Sequence, residues 1–185
     1  ALVERYDLRI IDFPSEPRFN IAPTQNVVTI VRDDDHNQNL ASLMRWRLVP
    51  FWAKDPTIGN RMINARPETV AERNSFRQAF QKRRCLVVAD SFYEWRKTPR
   101  GKVPMRIILK EGSPFGFAGL WETWRQPDGA FLNSCTYHHD TECSHGVDPR
   151  PHAGHTQQRG RIAVVACHQA RRSQVNQHPC PACWE

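Results

Sequence analysis

Apolar and polar positions in the first 136 residues fall into short, separated runs. Val27–Val31 is a β-branched run stopped by Asp33-Asp34-Asp35, which reads as a strand. Leu43–Val49 alternates apolar and basic residues, the pattern of a half-buried strand. Between Pro67 and Arg84, apolar Val70, Phe76, Ala79 and Phe80 are spaced among charges, which predicts a helix with proline in its first turn. Cys85–Ala89, Phe92–Trp95, Met105–Leu109 and Phe115–Trp121 follow as strands, with Pro and Gly between them. A second helix is expected near Leu2–Leu8. A mostly-strand order with few helices predicts an α+β fold built on an antiparallel, barrel-like sheet.

The pattern stops at Thr136. Seven of the eight histidines lie beyond Tyr137, no lysine follows Lys110, and Ile162–Ala166 is the one convincing apolar run. No strand or helix period runs through Asp140–Gly160, so this stretch lacks the apolar area to offset its ordering entropy. The reading is therefore an ordered domain over 1–136 and an aberrant, poorly packed tail over 137–185.

Composition narrows the partners. The 185 residues carry a formal net charge of +7, and 21 basic against 15 acidic residues fall within 1–136. With a pI near 9.4 the chain favours anionic partners, nucleic acid before acidic membranes. No apolar run approaches the roughly 20 residues of a membrane span, and no signal-peptide pattern opens the chain. A soluble, cytoplasmic monomer without cofactor and without a membrane partner is expected. Of the six cysteines, Cys85 stands alone in an apolar run and the others cluster late, unlike a disulfide framework.

Four constellations carry candidate chemistry. Ile63-Asn64-Ala65-Arg66-Pro67-Glu68 offers a donor and acceptor, a guanidinium fork for phosphate and a carboxylate at the entrance of the expected helix. The same residues also read as a capping loop. In Ser91-Phe92-Tyr93-Glu94-Trp95-Arg96 an acid between aromatics is placed for desolvation and acid–base work, with Trp95 and Phe92 able to stack on bases. Ordinary strand alternation explains it equally. Val49-Pro50-Phe51-Trp52-Ala53-Lys54 sets two aromatics beside Arg45, Arg47 and Lys54, which suits an unstacked nucleic acid or a tryptophan at a sheet rim. Finally Cys180-Pro181-Ala182-Cys183, with Cys167, His168 and His178, has the ligand types of a zinc site but no finger or ribbon spacing, and no metal is expected.

Taken together, Arg18-Phe19-Asn20-Ile21-Ala22-Pro23-Thr24, Arg47-Leu48-Val49-Pro50-Phe51-Trp52, Ile63-Asn64-Ala65-Arg66-Pro67-Glu68-Thr69 and Cys85–Trp95 resemble, in family order, the SOS response-associated peptidase (SRAP) family of abasic-site processing proteins. The resemblance implies one α+β domain that binds single-stranded DNA at abasic sites. In the family, a cysteine following the initiator methionine becomes the N-terminus. Its amine attacks the ring-opened sugar aldehyde and its thiol closes a thiazolidine, leaving a stable DNA–protein crosslink. The same cysteine is linked to autoproteolytic removal of the leading residue. By motif match, Asn64 positions the sugar or amine and Glu94 is the general acid–base. Arg66 contacts phosphate, and Trp52 and Trp95 wall the DNA channel.

Two departures qualify what the resemblance implies. The family opens with Met-Cys-Gly-Arg, whereas this sequence opens on Ala1. The family's Ile-His-Asp-Arg-Met-Pro motif, with its catalytic histidine, is absent after the strand near Leu132. Codons for Val147–Thr156, shifted by one base, can spell Trp-Ile-His-Asp-Arg-Met-Pro-Val-Ile-Leu, and those for Glu142-Cys143-Ser144 can spell Asn-Ala-Leu. A frameshift after residue 136 is the preferred explanation, making the histidine and cysteine enrichment a codon accident. The chain as written is therefore expected to be crippled in crosslinking. Two other classes remain: non-covalent single-stranded DNA binding, and a zinc-binding interaction module in the tail.

Overall fold

The computed structural model describes residues 2–9, 17–109, 112–138 and 177–179. Helix α1 (Leu2–Tyr6) is a short turn of helix that ends at Asp7, whose φ of 47° stops it. The Asn39 amide donates to the Tyr6 carbonyl at 2.7 Å, tying α1 to the sheet. Strand β1 (Leu8–Arg9) then runs parallel to β3 (Gln38–Trp46). The β-branched run forms the centre of β2 (Asn26–Asp33), which pairs antiparallel with β3 from Asn26↔Arg45 to Asp33↔Gln38. Asn37, with φ of 51°, takes the left-handed turn position that asparagine tolerates.

Five strands close into a barrel. The order β3-β2-β5-β8-β9 uses β5 (Arg84–Ala89), β8 (Phe115–Arg125) and β9 (Phe131–His138). It returns to β3 through the parallel pairs Arg45↔Ser134 and Trp46↔Cys135. Closure leaves none of these five with a free edge. One glycine makes the fit possible. A Cβ on Gly119 of β8 would lie 2.7 Å from the Thr136 carbonyl and 3.1 Å from the Cys85 thiol. Val27, Met44, Cys85, Val87 and Cys135 form one buried cluster. A second joins Leu48, Met62, Ala65, Val70 and Leu120 to the face of helix α2 (Asn74–Lys82) that carries Phe76 and Ala79.

Polar groups inside this body are paired. The fully buried Thr29 hydroxyl donates to the Ser42 carbonyl at 2.8 Å. The Ser134 hydroxyl accepts from the Val49 amide at 2.9 Å. Glu122, 2 % exposed, is ion-paired to Arg83, whose guanidinium also lies 5.4 Å from the centre of the Trp121 ring.

Several expectations are corrected. The helix expected over 67–84 begins only at Asn74; residues 66–73 are successive turns, with the Val70 and Arg73 amides bonded to the Arg66 and Thr69 carbonyls. Pro67 and β-branched Thr69 and Val70 favour turns over a continuous helix. The strand expected over Leu43–Val49 stops at Trp46, because Leu48, Val49 and Pro50 are all buried together and cannot alternate. The short terminal helix and the strand at 84–89 stand as expected.

The chain divides into two units, one holding Ala1–Val88 and Gly116–His139, the other containing Ala89–Phe115. In the second, β6 (Ser91–Thr98) and β7 (Gly101–Ile108) form a hairpin, and β10 (Gln177–Pro179) pairs antiparallel with β7. Of the expected tail, Tyr137 and His138 belong to β9 and Gln177–Pro179 to β10; the rest, including Cys180–Cys183 and the codons read as shifted, lies outside the described residues. No helix among the described residues is long and apolar enough to cross a membrane.

Candidate nucleic-acid interface

The loop after β3 is built to hold two aromatics outward. Leu48 and Val49 are 0 % exposed, and Val49 is bonded to Ser134. Past the next two residues, the Ala53 amide bonds back to the Pro50 carbonyl at 2.9 Å, and the buried Trp124 indole donates to the Ala53 carbonyl at 2.6 Å. Between these anchors Phe51 and Trp52 are each 48 % exposed. Adjacent large aromatics held out of a fixed loop mark a contact surface better than scattered apolar residues do.

The loop's cations are used differently than expected. Arg45 donates to the Thr24 carbonyl at 3.0 Å and Arg47 to the Asn60 side chain at 2.6 Å, so both brace the loop. Asp55 caps the turn Pro56–Arg61 by accepting from the Thr57 amide at 2.9 Å, and its carboxyl is held below the ordinary range by the Thr57 hydroxyl and amide. Exposed cations of the same unit include Lys54, Arg61 and Arg66.

Asn64 and Ala65 form a two-residue strand, β4, parallel to β9 through Asn64↔Tyr137 and Ala65↔His138. Ala65 is fully buried while Asn64, Arg66 and Glu68 are exposed. The preceding carbonyl is clamped: Ile63 accepts from the Trp46 indole at 2.9 Å and from the Thr136 hydroxyl at 2.8 Å. Two donors fix the peptide plane entering Asn64, so its side chain leaves a rigid backbone. Tyr137, opposite Asn64, stacks at 4.9 Å on Phe117 and lies 5.4 Å from the Trp46 ring. His138, opposite Ala65, has an Nδ1 that is buried with no hydrogen-bond partner, and burial pulls its pKa below the ordinary value. Because α2 begins at Asn74, no helix start stands behind Asn64, Arg66 and Glu68. The Trp46–Thr136 clamp was missed from the sequence, since its residues are remote from Ile63 and carry no motif.

Glu94 and Trp95 belong to the hairpin. The register Tyr93↔Arg106, Glu94↔Met105, Trp95↔Pro104 fixes which residues share a face. Glu94 is half-buried and shares its face with Phe92 and the buried Met105. Trp95, on the opposite face, is 59 % exposed. Adjacent in sequence, they cannot act on the same side of this sheet. The other three site residues, Trp52, Asn64 and Arg66, belong to the barrel-bearing unit.

Residues 3–138 match the SOS response associated peptidase (SRAP) family. The abasic site processing protein YoqW of Bacillus subtilis is 50 % identical over 121 residues, covering 65 % of this chain and 53 % of the relative. YoaM of the same organism, also an abasic site processing protein, is 42 % identical over 139 residues, covering 73 % of this chain and 60 % of the relative. A crystal structure of a protein from Bordetella bronchiseptica superposes with a TM-score of 0.57 at 28 % identity, over 66 % of this chain and 60 % of that one. The chain thus spans a little over half the length of the first of these relatives.

Proposed function

This chain belongs to the SOS response associated peptidase (SRAP) family, and on that premise we propose that it forms the DNA-binding body of an abasic-site processing protein. Its partner is single-stranded DNA carrying abasic sites. The observation that carries this reading is the exposed Asn64–Arg66 segment, fixed from behind by the two bonds to the Ile63 carbonyl. A sugar needs a positioned donor and acceptor, which Asn64 supplies, and its flanking phosphate needs a cation, which Arg66 supplies. Trp52 offers a base a stacking surface. Glu94 is the proton-transfer group.

Covalent capture requires an amine and a thiol on one residue. The N-terminal amine of a cysteine adds to the ring-opened aldehyde and water leaves, giving a Schiff base. The thiol then adds across the C=N bond, its proton passing to nitrogen, and a thiazolidine closes. Only the 1,2 arrangement of amine and thiol gives that five-membered ring. The amine is freed by autoproteolytic removal of the leading residue. Cys85 and Cys135 cannot serve: their amines are in peptide bonds, and they are 5 % and 0 % exposed. Burial pushes both thiols up, Cys135 to about 12.

The test compares two polypeptides of defined start, residues 1–185 alone and the same residues preceded by Met-Cys-Gly-Arg and a family-length spacer. Both are incubated with single-stranded DNA carrying an abasic site and run on a denaturing gel. Both are expected to bind, and only the cysteine-bearing polypeptide to give a heat-stable crosslink. A heat-stable crosslink from the polypeptide opening on Ala1 would overturn the mechanism. Failure of both to bind single strands would overturn the function.

A further inference from the structure

The β6–β7 hairpin carries a charge pattern that its own folding does not call for. Between Ser91 and Ile108 lie five cations, Arg96, Lys97, Arg100, Lys102 and Arg106, against the single acid Glu94. The register sorts them. Lys97 stands directly opposite Lys102, Trp95 opposite Pro104 and Tyr93 opposite Arg106, so these three pairs share one face. The other face carries Phe92, which meets Phe115 edge-on at 6.1 Å, and Met105, 7 % exposed. Lys97, Lys102 and Trp95 are all exposed.

Like charges directly across an antiparallel pair, with Cβ atoms about 5 Å apart, destabilise the pair unless an anion sits between them. The tip gives them no room to diverge: Thr98 closes the turn by donating to the Gly101 carbonyl at 2.7 Å, with Gly101 at φ of 126°. Along the strand, Trp95 and Lys97 are two residues apart, about 6.8 Å. A stacking ring followed at that step by a pair of ammonium groups matches a base followed by its phosphate. Duplex DNA offers no unstacked base to Trp95, and a membrane surface offers no ring to stack.

We propose that this face of the hairpin is a second single-strand contact, with Trp95 stacking a base and the Lys97–Lys102 pair holding a phosphate of the DNA outside the abasic site. The proposal rests on the single-stranded DNA reading above and deepens it: Trp95 works with the lysines, on the face opposite Glu94.

The experiment measures binding of the full chain to a fluorescent single-stranded oligonucleotide across a salt series. Lys97→Glu/Lys102→Glu is compared with Arg77→Glu/Lys82→Glu, which changes net charge equally on exposed positions of α2. The hairpin pair is expected to weaken binding about tenfold and to flatten the salt slope by about 1.4, two released phosphate contacts. Trp95→Ala is expected to weaken it about tenfold without changing the slope. The α2 pair is expected to leave the slope unchanged. If the hairpin pair also shifts thermal unfolding, Lys97→Gln/Lys102→Gln reads the same slope. Equal effects from the two charge-reversed pairs, or an unchanged slope in the hairpin variants, would overturn the hairpin contact while leaving the single-strand reading intact. No binding by the unaltered chain would sink both.

Discussion

The barrel and the β6–β7 hairpin use the same strand alternation to opposite ends. In the barrel every strand has a neighbour on each side, and its buried polar groups are answered: Thr29, Ser134 and Thr136 are each 0 % exposed and hydrogen-bonded. In the hairpin one face holds Phe92 and Met105, and the other leaves Trp95 and two lysines to solvent. A residue's neighbours therefore say what its loss would change. Barrel residues should be read in unfolding free energy and hairpin residues in binding.

The largest effect is expected at the ion pair of the barrel. Arg83→Met leaves the Glu122 carboxylate buried and unpaired, and is expected to cost about 3–5 kcal/mol in urea unfolding. Arg83→Met/Glu122→Leu should recover most of that loss, because no unpaired charge remains. A neutral Arg83→Met would mean that this region of the barrel is as open to water as the hairpin. Thr136→Val is intermediate. It removes one of two donors to the Ile63 carbonyl, for about 1 kcal/mol of stability. It should also loosen Asn64, so crosslinking by the cysteine-bearing polypeptide should slow more than DNA binding weakens. An unchanged crosslinking rate would separate the clamp from the chemistry. The smallest effect on stability is expected from Lys97→Glu/Lys102→Glu, within about 0.5 kcal/mol, despite its large effect on binding. A stability loss comparable to that of Arg83→Met would erase the distinction between the two regions.

The parts of the fold legible in the sequence are those set by local pattern. Val27–Val31 became the middle of β2 and Cys85–Ala89 nearly all of β5, because β-branched and apolar runs bounded by polar residues have few other uses. Pro67–Arg84 was misread because Val70 and Phe76 both reach the same buried cluster from different conformations, turn and helix, so their spacing mimics one helix. Leu48 and Val49 carried on the strand pattern by composition alone. The candidate residues were found through motifs, but the clamp behind Asn64 was not. Trp46 and Thr136 meet at Ile63 only after the chain has folded back on itself, and neither residue type announces a bond to a distant carbonyl. Likewise the pairing of Lys97 with Lys102 depends on where the hairpin turns, which Pro99-Arg100-Gly101 leaves open by one residue.

The parallel seam between β3 and β9 also sets a schedule for the nascent chain. Arg45 and Trp46 wait on Ser134 and Cys135 for their partners. At a ribosomal rate of about 5–20 residues per second, that wait lasts from several seconds to roughly 20 s. Throughout it, β3 lacks its β9 neighbour, and the Ile63 carbonyl has at most the Trp46 indole to hold it. The segment offered to damaged DNA is therefore assembled last. A nascent polypeptide stalled before β9 would carry the motif residues yet present an adhesive strand edge, making it a substrate for chaperones before it is a ligand for DNA.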